Sequence, residues 1–186
     1  MNDSSAAKQP DDELVKEVFA HFGLAVYLAQ VLEHSLLNAL TTAYGPGPNK
    51  LTQAELEKRF ENLNARTLSA LLSTLRDAGL PADLMPTVRA ALEDRNRLAH
   101  EFFWAHALDF TSAEGCRRLL AELLEMQQRM SDCTGRVEAE VHRWAAAHGI
   151  RTDDFDAIHA AMLDRGHVLS GTEVEEVIGP RSGAQA

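Results

Sequence analysis

The chain has 186 residues, 45% of them apolar, and a formal net charge of -10. That suffices for one ordinary hydrophobic core and is too apolar for a mainly disordered chain. The acidity argues against a protein that coats nucleic acid non-specifically, because phosphate binding needs positive local potential. The charge is uneven. Residues 152–186 carry seven acids and two bases, half of the net charge, whereas residues 111–151 balance six acids with six arginines.

Residues 1–11 are too polar to pack, and the expectation is a disordered N-terminus without the cationic and apolar pattern of a secretory or transit signal. Apolar runs further on are repeatedly broken by charge, so none is expected to reach the roughly 18 to 20 residues that span a bilayer. A cytoplasmic protein with no membrane partner is the expectation.

Val15, Val18, Phe22, Ala25, Ala29, Leu32, Leu36 and Leu40 recur at three- and four-residue steps, which predicts a long first helix from near Asp12 to near Ala43. Gly45-Pro46-Gly47-Pro48-Asn49 ends it. Thr52-Gln53-Ala54-Glu55 reads as a capping box opening a short helix to near Phe60. Another helix is expected over Ala65 to Ala78, stopped by Gly79. Pro81 and Pro86 fall in or near the first turn of the next, which places Val88, Leu92, Arg95, Ala99 and Phe102 on one stripe. Thr111-Ser112-Ala113-Glu114 caps a long last helix to about His148, with Leu119, Leu123, Met126, Met130, Cys133, Val137, Val141 and Trp144 inside. Cys116 and Cys133 fall on that helix roughly 25 Å apart, beyond disulfide reach, and are expected as free thiols. Thr152 to Leu163 suits one more short helix, Gly166 to Ile178 has no clear pattern, and residues 179–186 read as a disordered tail. No long strand alternation and no phosphate-binding glycine loop occurs. The expected class is all-α, an up-and-down helical bundle over residues 12–149 with one or two extra short helices, followed by an acidic extension over 150–186.

The stretch Arg95-Asn96-Arg97-Leu98-Ala99-His100, running into Glu101-Phe102-Phe103-Trp104, carries the chemistry. Arg95 occupies a stripe position where an apolar residue is expected, and an unpaired buried guanidinium is prohibitive. Asn96 and His100 lie four apart beside it, and together the three are expected to form a polar ledge on an inner face. Glu33 on the first helix is the candidate counter-ion. A structural polar network holding helices or subunits together accounts for the same residues.

This arrangement resembles the HEPN superfamily, small helical bundles whose motif is an arginine, often followed by a polar residue, then four to six residues to a histidine. Arg95 and Asn96 match its start and His100 its end. The order of elements is also similar over roughly residues 12–148, with an acid, Glu33, inside the long first helix. The resemblance implies a metal-independent endoribonuclease without cofactors, its site composite across a homodimer, with Arg95, Asn96 and His100 catalytic and Glu33 supporting. It further implies an RNA substrate, a toxin–antitoxin or phage-defence setting, and an antitoxin or regulatory protein as partner. The alternative is a non-catalytic interaction or dimerisation module whose motif is structural.

The residue types suit the chemistry. A histidine transfers protons near neutral pH, and an arginine grips phosphate bidentately. One histidine is a poor acid and base at once, a physical reason to want two copies on a two-fold axis. Other signals are weaker. His34, His100 and His106 could converge on a metal, but no HExxH or paired Glu-x-x-His accompanies them. Phe102, Phe103 and Trp104 suit base stacking or, more simply, closure of the bundle end or a dimer contact. Arg117, Arg118, Arg129 and Arg136 could follow a nucleic-acid backbone, yet Glu114, Glu122, Glu125 and Asp132 are placed to neutralise them.

Overall fold

The computed structural model describes residues 10–44, 53–64, 68–147, 151–166 and 171–179. Within these the chain is all-α, with no strand. The first helix, α1 (Asp12–Thr41), begins where the Asp11 carboxylate accepts a hydrogen bond from the Leu14 amide at 2.8 Å. An acidic cap satisfies an orphan amide and complements the positive end of the helix dipole. Asp11, expected within the disordered N-terminus, is therefore an ordered cap. Pro10 is partly covered beside it, and residues 1–9 lie outside the described residues, as do the glycine–proline turn, Thr52 of the capping box and the tail beyond Gly179.

Two short helices follow, α2 (Gln53–Asn64) and α3 (Leu68–Asp77). α2 runs four residues past the expected end at Phe60, because Leu63 is buried and anchors its last turn in the core. Gly79, at φ 88°, turns the chain after α3 in a conformation that only glycine adopts cheaply. α4 (Met85–His100) follows, with Pro86 in its first turn, where a missing N–H costs nothing. The helix breaks at Glu101, and a four-residue helix α5 (Phe102–Ala105) and a 3-10 turn η1 (Asp109–Thr111) lead into α6 (Ala113–Ala147). Ser112 caps α6, its hydroxyl accepting from the Gly115 amide at 3.0 Å. The segment with no clear pattern forms α8 (Gly171–Ile178) after α7 (Thr152–Arg165), which Gly166 ends in the left-handed region.

α1 and α6 form the most extensive helix pair. On α6 the buried residues Cys116, Leu119, Leu123, Met126, Met130, Cys133 and Val137 alternate three- and four-residue steps, the spacing of a coiled-coil seam. They meet Val18, Ala25, Ala29, Leu32, Leu36 and Leu40 of α1 in one continuous core. Val141 and Trp144, expected inside, are only partly covered, because Ala145 takes the buried position near the end of α6. α4 packs on both long helices, α2 on α1, α3 on α4, and the α7–α8 pair meets the rest through α6.

α1 is long and apolar enough by composition to cross a membrane, with a mean hydropathy of 1.3 over an 18-residue window. The expectation that no segment would reach that length and hydropathy is thus corrected. Its inner stripe belongs to the core, but only 17% of that window is buried, and Phe19, Leu24 and Tyr27 stand 53, 45 and 60% exposed. The outer face of α1 is unusually apolar.

Candidate functional site

The motif helix is rotated from its expected setting. Its buried residues are Val88, Ala91, Leu92, Asp94 and Leu98, while Ala99 is exposed and Arg95 lies at the edge of the core. Asp94 accounts for the rotation. It is buried at 7% exposure because Arg129 of α6 donates to it through Nε at 2.6 Å, and Leu98 then fills the apolar slot expected of Ala99. A hydrogen bond to a carboxylate compensates the burial of a charge only when both partners are held together. Arg129 is correspondingly raised above the ordinary arginine value, chiefly by that hydrogen bond.

Arg95 still meets the expected counter-ion, its Nε donating to Glu33 Oε1. The two side chains are 34 and 26% exposed, so the pair sits in a surface groove rather than in the core. Arg95 Nη1 also donates to Asn96 Oδ1 at 3.3 Å. These contacts leave the outer part of the guanidinium fork available to an anion. Asn96 and His100, expected on an inner face, are exposed, because the rotation that buries Asp94 and Leu98 turns them outward. His100 is the last residue of α4, placed where the backbone bends at Glu101, with φ -127° and ψ -25°.

Two open grooves adjoin along α4. One, of about 210 Å³, is lined by Val26, Ala29, Gln30, Glu33, Arg95, Leu98 and Ala99. The other, of about 420 Å³, is lined by Leu98, Ala99, His100, Glu101, Phe102, Phe103, Trp104 and Ala107. Leu98 and Ala99 border both, so the Arg95–Glu33 pair and His100 open onto one continuous stretch of surface.

The aromatic trio divides. Phe102 is buried and closes the bundle end, its ring 5.5 Å from that of Phe22. Phe103 joins a partly exposed cluster with Phe22 at 4.5 Å, Phe19 at 5.5 Å and Phe110 at 5.8 Å. Trp104 is 87% exposed.

Behind the motif, α5 and η1 are held to α6 by a charged cluster that sequence reasoning missed. His106 Nδ1 lies 3.0 Å from Asp109 Oδ2, and its Nε2 lies 3.1 Å from Glu122 Oε2, close but out of line for an ordinary hydrogen bond. Arg97 of α4 reaches the other oxygen of Glu122, and Arg118 donates to Asp109 at 2.7 Å. Hydrogen bonds from His106 and then Arg118 hold the Asp109 carboxyl below the usual carboxylate range. The His106-x-x-Asp109 spacing is the one local signal that could have found this cluster; Glu122 and Arg97 offer none. Beside this cluster α6 carries Gly115, where a Cβ would lie 2.1 Å from the Asp109 carbonyl oxygen. Only glycine allows so close an approach of two backbones.

Three of the four α6 arginines weighed for a nucleic-acid backbone are paired, whereas Arg117 is exposed. Arg118 meets Asp109, Arg129 meets Asp94 and Arg136 meets Asp83 at 3.0 Å, all across elements. Glu114 and Glu125 add weaker contacts at 3.3 and 3.6 Å, whereas Glu122 is engaged by Arg97 and His106, and Asp132 by Gln128. The three histidines weighed for a metal have separate surroundings: the ring of His34 stacks 6.1 Å from that of Phe60, and His106 sits in the acidic cluster. Among the described residues no group of three or more His, Cys, Asp or Glu side chains could hold a metal ion.

Compared with known proteins, the chain matches no family model, no curated protein and no solved structure.

Proposed function

We propose that this protein is a HEPN-like, metal-independent endoribonuclease that works as a homodimer, with Arg95, Asn96 and His100 as its catalytic residues and Glu33 as support. The observation that carries the reading is the contrast on α4: Arg95 is held by Glu33 and Asn96, while His100, five residues further, lies open to solvent on the adjoining groove. Phosphate capture needs a held guanidinium and proton transfer an accessible imidazole, and α4 carries both. Arg95 grips a non-bridging phosphate oxygen, and His100 takes the proton of the adjacent ribose 2′-hydroxyl as it attacks phosphorus. The 5′-oxygen leaves with a proton from the second copy's imidazole, giving a 2′,3′-cyclic phosphate. The exposed Phe19 of α1, its ring 5.5 Å from that of Phe103, supports a second copy covering this side. A cytoplasmic toxin or phage-defence role, restrained by an antitoxin or regulatory protein, is the setting the resemblance implies.

The test is incubation of the purified protein with total RNA in excess chelator. Cleavage leaving cyclic phosphate ends, abolished in a folded His100→Ala variant, is the expected result; RNA that stays intact across pH and salt sinks the reading. A second reading has its own observation, since the Arg95–Glu33 pair ties α4 to α1 whether or not RNA is bound. Under it the chain is a non-catalytic interaction module, and Arg95→Ala lowers stability or dimerisation while no variant alters RNA.

A further inference from the structure

Trp104 is the most exposed large apolar side chain among the described residues, at 87%. Unlike Phe103, it has no aromatic neighbour among them. It borders the groove of about 420 Å³ that His100 and Glu101 also line, a volume within the range of small-molecule sites. Ala99 and Ala107 line the same groove, and such short side chains leave space beside the indole. The lining thus combines a free aromatic face, an exposed carboxylate and the exposed histidine of the motif.

We propose that this groove is a nucleobase subsite, in which one base of single-stranded RNA stacks on Trp104 and turns its N–H edge to Glu101. A carboxylate is poorly suited to a protein interface core, where Glu is depleted, and it repels phosphate. It is well suited to a base edge that offers donors. Guanine, with adjacent N1–H and N2–H donors, fits a two-oxygen acceptor better than uracil, which has one N–H. The subsite rests on the ribonuclease reading and adds to it a place for the base beside the scissile phosphate, with Trp104 giving affinity and Glu101 giving base preference.

The experiment measures binding of fluorescein-labelled deoxy-trinucleotides, which lack the attacking hydroxyl, to the full chain by anisotropy. One carries guanine between two thymines and the other is all thymine. Stacking on one aromatic ring corresponds to about a 10- to 100-fold change in affinity. Trp104→Ala is expected to weaken guanine-trinucleotide binding by about that factor, Trp104→Phe to restore most of it, and Glu101→Gln to abolish the preference over thymine. Unchanged affinity in Trp104→Ala overturns the subsite. So does a loss that appears only because sedimentation shows the variant has turned from dimer to monomer, which makes the face a subunit interface. RNA cleavage that needs His100 but not Trp104 removes the subsite and spares the nuclease; guanine-selective, Trp104-dependent binding without cleavage does the reverse.

Discussion

The two sides of α1 are built on opposite rules. Toward α6 it presents Leu32, Leu36 and Leu40 with no exposed surface, matched by Leu119, Leu123, Met126 and Met130 in the same state. Away from that seam α1 exposes Phe19 and Tyr27, and along α4 and α5 the surface carries Trp104, a partly exposed ion pair and an open histidine. The seam uses nearly all of its apolar area for stability. The motif face leaves apolar area exposed and its polar groups open to solvent.

That division implies a graded set of substitutions. The largest effect belongs in the seam. Leu123→Ala removes a fully buried side chain and leaves a cavity, so it is expected to cost about 2 to 5 kcal/mol in urea unfolding. A loss below about 1 kcal/mol would mean that the seam is not a packed core. Next is Gly115→Ala. Alanine gains about 1 kcal/mol in helix propensity, but its Cβ meets the Asp109 backbone, which has no rotamer by which to yield. A net loss of about 1 to 3 kcal/mol is expected, with a changed near-ultraviolet spectrum as the aromatic cluster around Phe110 shifts. A stabilised variant would show that η1 does not press on α6.

A smaller effect comes from the charged cluster behind the motif. The Asp109 carboxyl ionises at lower pH in the folded chain than in the unfolded one, so its contribution is complete above the ordinary carboxylate value of about 3.9. It drains away as pH falls below that value and through the depressed one. Asp109→Asn is expected to flatten this acid limb by less than about 1 kcal/mol, the scale of an ion pair near the surface. An unaltered pH profile would place the stabilising contacts elsewhere. The smallest change is on the motif face itself, where Trp104→Ala is expected to alter monomer stability by no more than about 0.5 kcal/mol. A larger loss in dilute solution would break the comparison, since the indole would then belong to the fold.

Much of the seam was legible in the sequence, because helix periodicity is a local signal and the residues on α1 and α6 repeat it over many turns. The Glu33–Arg95 pair was legible for a different reason. An arginine at a core position demands a carboxylate, and the first helix offered one at the right place. The rotation of α4 was not legible, because it depends on Arg129, 35 residues away, making Asp94 tolerable inside. Without that partner, Asp94 reads as solvent-facing and Ala99 as buried. The division of the aromatic trio was hidden by the break at Glu101, which carries no proline or glycine to announce it. α8 escaped because eight residues give too few turns for a period to declare itself.

The close approach at Gly115 has a consequence for reading related chains. A sequence that keeps Arg95, Asn96 and His100 but bears a side chain at position 115 loses the seat of η1, and with it the support of the short arm that carries Trp104. Descent of the site is therefore better judged by the motif together with this distant glycine than by the motif alone.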